Sequence, residues 1–554
     1  MSGKSKGQGG RAPSPDPDVC VVGSGVAGAL TAHSLAKRGH EVVILEAGRR
    51  FDPSNRTAQM EEAIRPEGSF RDVWEMGGER DRYTSSGDVY YGLNNTRVKA
   101  VGGTTLHWLG ITPRLHEKDF EMQSRYGLAS DWPISYDDLR PFYARAEREL
   151  GVAGGDDNPF APPREADYPM PAFPPSYSDT LFAEACDALD ITMHSVPQAR
   201  NSELYDGRSP CVGFSTCIPV CPSGAKYSAD VHVVKAEGEG ARVIDRAPVQ
   251  RLEHDSKGER VEAAVYATPD GERHRQTASR FVLACGAVEI PRLLLLSKSD
   301  QYPDGLANSS GVVGKYFMDQ PIVSIVGELE RPTAQEPIGY HTSETHQFYD
   351  HEDSRPGSIK FVFDNENPVH LSKTALRGGD NGTRGDLTDV LTGDSWGDET
   401  LEKMRDRTPN RRVSMFANPE LLPREENAVT LDTSTTDDHG NPVPDVSFNL
   451  GPHAIETMER AREIQYRILE EMDATVVAES DLASPKIASH KTGTTRMGTD
   501  PSESVVDPTL RTHDLRNLYI ASGSAFVTAG AMNPTLTIAA LALKAAGHIH
   551  EELS

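Results

Sequence analysis

Two groups of residues in this 554-residue chain have types and spacings that could do chemistry. The first is Gly23-Ser24-Gly25-Val26-Ala27-Gly28, a G-x-G-x-x-G run. Its glycines permit a tight turn, close approach of backbone N–H groups to a pyrophosphate, and close helix–sheet packing. The phosphates would rest at a helix N-terminus, where unsatisfied N–H groups and the helix dipole favour negative charge. Glu46, 18 residues beyond Gly28, offers a carboxylate to ribose hydroxyls and would repel a 2′-phosphate. The second group is Cys211, Cys217 and Cys221 in CVGFSTCIPVCPSGAKYS. Thiolates are soft ligands, and three on one loop can converge on a metal without long-range loop closure. Three is one short of a closed tetrahedral zinc site or a four-iron cluster, and it suits a 3Fe–4S cluster with one Cys per iron. Free buried thiols, a disulfide, or zinc completed by a distant His are the alternatives.

These residues need elements to hold them. Residues 18–22 read as a strand, 26–38 as a helix and 41–45 as a second buried strand, a βαβ unit whose natural home is a parallel sheet. Residues 52–100 are polar and irregular, and the Pro-dense stretch 159–175 reads as a linker or extended loop. A further buried strand and helix are expected over 280–296. Residues 331–410 are acidic and Gly-rich, and read as an insertion or mobile lid. Asp438-His439-Gly440-Asn441 suits a hairpin turn between strands at 429–431 and 443–448. A last short strand at 518–520 and a closing helix at 534–546 complete the pattern. No internal repeat is seen.

Bulk properties set limits. The length implies two or more domains. A net charge of −26 argues against nucleic acid as a partner. With 41 Arg but only 16 Lys, the acidic excess suits solubility at high salt and a halophilic host, the alternative being an ordinary acidic protein from a high-GC genome. The longest apolar run, 532–543, ends at Lys544, so no transmembrane segment is expected. The polar, Gly- and Pro-rich start reads as a disordered tail and not as a secretory signal, which makes a cytoplasmic location the expectation unless a partner subunit exports the chain or carries it to a membrane.

Four further stretches are specific: VGGTTLHWLGITPR from Val101, FVLACGAVEIPRLLLLS from Phe281, HKTGTTRMG from His490 with VVDPTLRTH from Val505, and NLYIASGS from Asn517 with NPTLTI from Asn533. With the glycine motif, and in this order, they resemble the glucose–methanol–choline (GMC) flavoprotein oxidoreductases, most of all the gluconate, fructose and glucose dehydrogenase flavin subunits. The resemblance implies an α/β fold. A Rossmann-like FAD-binding domain would be built from discontinuous segments, beside an α+β substrate domain with a mainly antiparallel sheet. The expected division is a tail at 1–16, the FAD-binding domain at 17–330 with the Cys loop at 211–222, a substrate domain at 331–480, and a return to the FAD-binding domain at 481–554.

The resemblance also implies FAD, its pyrophosphate at Gly23, Gly25 and Gly28, its ribose at Glu46, and Gly102 and Gly103 against the isoalloxazine ring. Many relatives have Asp-Gly-Ser where this chain has Ser522-Gly523-Ser524, so Ser522 or the Gly523 backbone must supply that contact. Leu106-His107-Trp108 matches the spacing at which pyranose oxidase attaches its flavin through His; a noncovalent ring contact is the other reading of His107. His490 occupies the family's catalytic position and Asn533 that of its partner. An alcohol gives up its proton reluctantly, so hydride leaves carbon only as a base takes that proton, and neutral imidazole is suited to the task. Asn533 would orient the hydroxyl and stabilise charge developing on oxygen. Dehydrogenases of this type carry a 3Fe–4S cluster at the place of Cys211, Cys217 and Cys221, which implies an external acceptor, a small subunit and an acceptor protein as partners. The expected reaction is oxidation of a CH–OH group of a sugar, sugar acid or polyol. The alternatives are an oxygen-using oxidase and an FAD-containing lyase of the same fold.

Overall fold

The computed structural model describes residues 11–65, 69–333, 339–350, 357–365 and 411–554. Five short apolar strands make a wholly parallel sheet in the order Leu518–Ile520, Arg280–Leu283, Val19–Val22, Val42–Leu45, Arg242–Ile244. The runs VCVV, VVIL and LYI are buried at every position, as in a parallel sheet packed on both faces, which leaves no solvated side to alternate toward. Helix Val26–Ala36 shows the same logic. All eleven of its residues are buried, between helices Thr535–Leu553 and Asp230–Gly238. The sheet draws its strands from three separated parts of the chain, 19–45, 242–283 and 518–520, so this domain is discontinuous, as expected.

A second sheet is mainly antiparallel, in the order Thr475–Glu479, Pro321–Glu328, Arg412–Pro419, Ile359–Asp364, His341–Thr345, His194–Ser195, with Lys486–Ile487 also paired to Pro321–Glu328. Helix Gly451–Glu471 packs on it. Strand Pro321–Glu328 alternates buried and partly exposed positions, the period-2 pattern of a sheet whose faces meet different surroundings.

Three expectations need correction. The tail expected at 1–16 is not loose over residues 11–16: Ser14 N–H donates to Gln276 Oε1 at 2.7 Å, and Arg11 pairs with Asp245 at 3.2 Å. Residues 1–10 lie outside the described residues. The insertion or lid expected at 331–410 contains two buried strands, His341–Thr345 and Ile359–Asp364. Their sequences, HTSET and IKFVFD, carry polar residues inward, which hid them from a search for apolar periodicity. The rest of that reading falls largely outside the described residues. The substrate-domain sheet also reaches beyond 331–480, taking strands at His194–Ser195 and Pro321–Glu328. The expected hairpin is present, Ala428–Thr436 with Pro442–Ser447, and packs on helix Gly286–Leu296.

Candidate active site

A cavity of about 930 Å³ runs from the glycine turn, past Glu46, Gly103 and His107, to His490, Asn533 and the antiparallel sheet. Its nucleotide end is shaped by what is missing from the glycines. A Cβ on Gly28 would lie 2.0 Å from the Gly23 carbonyl oxygen, so only glycine lets the helix start so close to the strand. Gly23 has φ +98°, and a Cβ there would meet Ala284 and Cys285 backbone at 2.8–2.9 Å. Gly25 has open space where a Cβ would stand, and Gly103 approaches it so closely that its own Cβ would be 2.9 Å from Gly25 Cα. Gly102, with φ +102°, turns the chain into that approach.

Glu46 closes the same turn. Its Oε2 accepts from Ser24 N–H at 2.9 Å and Ser24 Oγ at 2.7 Å, and its Oε1 from Gly48 N–H at 2.9 Å. Burial raises its pKa while these donors pull it down. One lone pair on Oε1 is left over for a ribose hydroxyl. At the far wall, where Ser522 and Gly523 line the cavity, Ser522 Oγ accepts from Ser524 N–H at 3.2 Å, and its own hydroxyl proton is left to donate. An extended dinucleotide fits this cleft: it has a glycine turn open at Gly25, an acceptor at Glu46 and a continuous passage to His490.

At the other end the side chains orient one another. Ser489 is held at φ +68°, a left-handed conformation that costs a non-glycine residue about 1–3 kcal/mol, and it turns His490 into the cavity. Asp319 Oδ1 accepts from His490 N–H at 2.6 Å, and Oδ2 from the Tyr91 hydroxyl at 2.5 Å. Gln320 donates through Nε2 to the carbonyls of Gly530 at 2.9 Å and Met532 at 3.0 Å. That fixes its amide, so Oε1 faces His490 Nδ1 at 2.6 Å, and the imidazole proton sits on Nδ1. His490 Nε2 therefore carries the lone pair, which accepts from Asn533 Nδ2 at 2.8 Å. Lys360 Nζ donates to Asn533 Oδ1 and fixes that amide too. Burial, with the neighbouring Lys360 and Lys491, pulls the His490 pKa down to about 3, so the ring is neutral. Burial raises Asp319 to about 6, with Lys491 opposing.

His107 lines the cavity at the end of the 3-10 turn Gly103–His107, stacked on Phe70 at 5.1 Å. Its Nδ1 is buried without a hydrogen-bond partner, and burial lowers its pKa to about 4. Directly behind it lies the cysteine loop. Buried Lys226 donates to the carbonyls of Trp108 at 2.7 Å, Cys217 at 2.7 Å and Leu106 at 3.3 Å, and so ties that loop to the His107 segment. The Cys211, Cys217 and Cys221 thiols are free; Cys217 is buried, the other two partly so. Arg200 Nη1 lies 3.6 Å from Cys211 Sγ, and Lys226 N–H donates to Cys221 Sγ at 3.5 Å.

His490 and Asn533 are thus in contact although 43 residues apart. Sequence reasoning missed Asp319, Gln320, Lys360 and Lys491. Lys491 stood beside the catalytic candidate in the sequence; Asp319, Gln320 and Lys360 lie on or beside strands that no spacing rule connects to position 490.

Residues 93–322 and 423–542 match two models described as GMC oxidoreductase, and residues 18–81 one described as FAD dependent oxidoreductase. The chain is 34% identical to the fructose dehydrogenase large subunit of Gluconobacter japonicus, over 97% of this chain and 98% of that protein. It is 29% identical to 2-methyl-1,2-propanediol dehydrogenase of Mycolicibacterium austroafricanum, over 97% and 96%. The fold is shared with pyridoxine 4-oxidase from Mesorbium loti, at a TM-score of 0.64 and 17% identity, over 97% and 99% of the two chains. With a nucleotide cleft, a neutral His–Asn pair at its end and full-length likeness to such enzymes, the chain belongs to the GMC oxidoreductase family and is an FAD-dependent oxidoreductase.

Proposed function

We propose that this enzyme oxidises a CH–OH group of a sugar, sugar acid or polyol and passes the electrons to an acceptor other than oxygen. The observation that carries the first half is the fixed, neutral His490 with its Nε2 lone pair facing the cavity. FAD, held at Gly23, Gly25, Gly28, Glu46, Gly102, Gly103, Ser522 and Gly523, supplies a two-electron hydride acceptor. The donor hydroxyl enters by replacing the Asn533–His490 contact. Its proton points at His490 Nε2, and a lone pair on its oxygen takes the Asn533 Nδ2 donor. The O–H bond then breaks toward Nε2 as the C–H bond gives up its electron pair, and the carbon–oxygen bond becomes a carbonyl. Gln320 stabilises the imidazolium through Nδ1–H. Asn533, braced by Lys360, stabilises charge on the oxygen before the carbonyl forms. Relatives named for fructose, gluconate and 2-methyl-1,2-propanediol support the donor class.

Three thiols on one loop support the second half. Cys211, Cys217 and Cys221 would hold a 3Fe–4S cluster, which would supply a one-electron exit for the electrons. Arg200 and the Lys226 N–H provide donors to two of the sulfurs, as a cluster of net negative charge requires. Val212 and Phe214, beside Cys211, are exposed at 68% and 48%, which suits contact with an acceptor protein or small subunit. His107 is read as a ring contact or attachment point for the flavin, on its cavity position and unpartnered Nδ1. The 41 Arg, 16 Lys and net −26 support a protein stabilised by salt.

Anaerobic mixing of the purified holoenzyme with a panel of hexoses, aldonates and polyols tests the donor class, with flavin bleaching as the result expected. Iron and sulfide analysis tests the cluster. Fast oxygen consumption with peroxide formation, without iron, would turn the enzyme into an oxidase. Absence of bleaching with every alcohol would leave the lyase reading.

A further inference from the structure

The antiparallel sheet turns three buried polar side chains toward the cavity, and the reaction as described uses only Lys360, as a brace for Asn533. Lys360, 1% exposed, and Asn418, 2% exposed, are direct partners on neighbouring antiparallel strands. Side chains so paired stand roughly 4.5–5.5 Å apart at Cβ. Asn418 Nδ2 is buried with no acceptor. Lys360 Nζ uses one N–H on Asn533 Oδ1, and its counter-ion Glu344 is 3.9 Å away, beyond hydrogen-bond reach. His341, farther along the same face, gives Nε2 to Asp364 Oδ1 at 2.9 Å and leaves Nδ1 buried without a partner. All three residues line the cavity that holds His490 and Asn533.

A buried hydrogen-bonding group left without a partner has lost its water and gained nothing in exchange. A chain that keeps several on one wall, facing an internal cavity and adjoining the catalytic amide, has them satisfied by what binds there. The positions limit what that is. Lys360 touches Asn533, and Asn533 addresses the reacting oxygen, so the Lys360–Asn418 pair lies one group farther along the substrate. Both are donors. Resting on the alcohol-oxidation reading above, we infer that Lys360 and Asn418 form a subsite for an acceptor oxygen on the carbon next to the one oxidised. The true donors are then vicinal diols or α-hydroxy acids, and simple alcohols are excluded. A lone alkanol leaves the Asn418 amide and the free Lys360 N–H groups buried and unpaired; a neighbouring hydroxyl or carboxylate oxygen meets them. Discrimination by a site built to hydrogen-bond an oxygen falls on the analogue that lacks it. Lys360 is then both a positioning residue for Asn533 and a specificity residue for the substrate.

The test uses the holoenzyme and flavin bleaching without oxygen. 1,2-Hexanediol and 2-hydroxyhexanoate are compared with 1-hexanol and 2-hexanol, which match them in length. The diol or the hydroxy acid should be favoured in kcat/KM by at least about tenfold, and which of the two leads tells a hydroxyl subsite from a carboxylate one. In Asn418→Leu, which keeps the size of the side chain, that preference should shrink toward one, mainly through KM. Lys360→Met combined with Glu344→Gln, which avoids an unpaired buried carboxylate, should shrink it further and lower kcat as well, since Asn533 loses its brace. Equal rates with hexanols and oxygenated donors in the wild type, or an undiminished preference in Asn418→Leu, overturn the subsite alone. Bleaching by no alcohol at all overturns the alcohol-oxidation reading and the subsite together.

Discussion

The two ends of the cavity are built on opposite principles. At the nucleotide end the backbone does the work: Gly23, Gly25, Gly28 and Gly103 remove side chains so that chain can approach chain and leave room for a phosphate. At the His490 end side chains do it, each fixing the next: Gln320 sets the tautomer of His490, Lys360 sets the amide of Asn533, and Asp319 anchors the His490 backbone. The first kind of site tolerates no added atom. The second tolerates substitution but loses orientation, so its losses should come in degrees.

That contrast orders the expected effects. The largest is Gly28→Ala, whose Cβ would lie 2.0 Å from a backbone oxygen that cannot move aside. The protein should purify without flavin, and an absorption spectrum showing normal FAD content would break the distinction. His490→Ala comes next. It should keep FAD and lose roughly 10²–10⁴-fold in the rate of anaerobic flavin bleaching, the usual worth of a positioned base. Full-speed bleaching would remove His490 from the reaction. Gln320→Leu should cost less than that, because the base remains but its tautomer is no longer imposed. Here kcat should fall while KM stays close to the wild-type value, and an equal fall in both would point to a packing defect.

The subtlest effect is on pH. Burial first, and then the charges of Lys360 and Lys491, disfavours the protonated ring and keeps His490 neutral well below the usual imidazole range. Removing a cation favours the protonated ring, so its pKa rises. In Lys491→Met the acid limb of kcat/KM should therefore move to higher pH, with the plateau at high pH little changed. A limb that stays put, or moves to lower pH, would show that burial alone governs His490 and that the lysines act only through geometry.

The same contrast explains what could be read without coordinates. The glycine motif, Glu46 and the flanking strands were legible because a backbone site needs contiguous residues at fixed spacing. The hairpin at 428–447 was legible through its turn residues. His490 and Asn533 were legible through the family resemblance. Lys360 and Asn418 were not. Lys360 sits in a strand whose surroundings read as a Gly-rich acidic insertion, and nothing in IKFVFD announces a lysine that is 1% exposed. Gln320 was invisible for another reason: its role depends on two carbonyls more than 200 residues away, at Gly530 and Met532.

By itself, then, the sequence determined the βαβ nucleotide unit, the acidic character and the presence of a Cys triad on one loop, since propensity, charge and spacing are local properties of a chain. The tertiary structure alone decided which nitrogen of His490 holds its proton, which way Asn533 faces, and which polar groups meet across the antiparallel sheet. Those depend on hydrogen bonds between residues brought together only when separate strands pair, and no one-dimensional spacing encodes them.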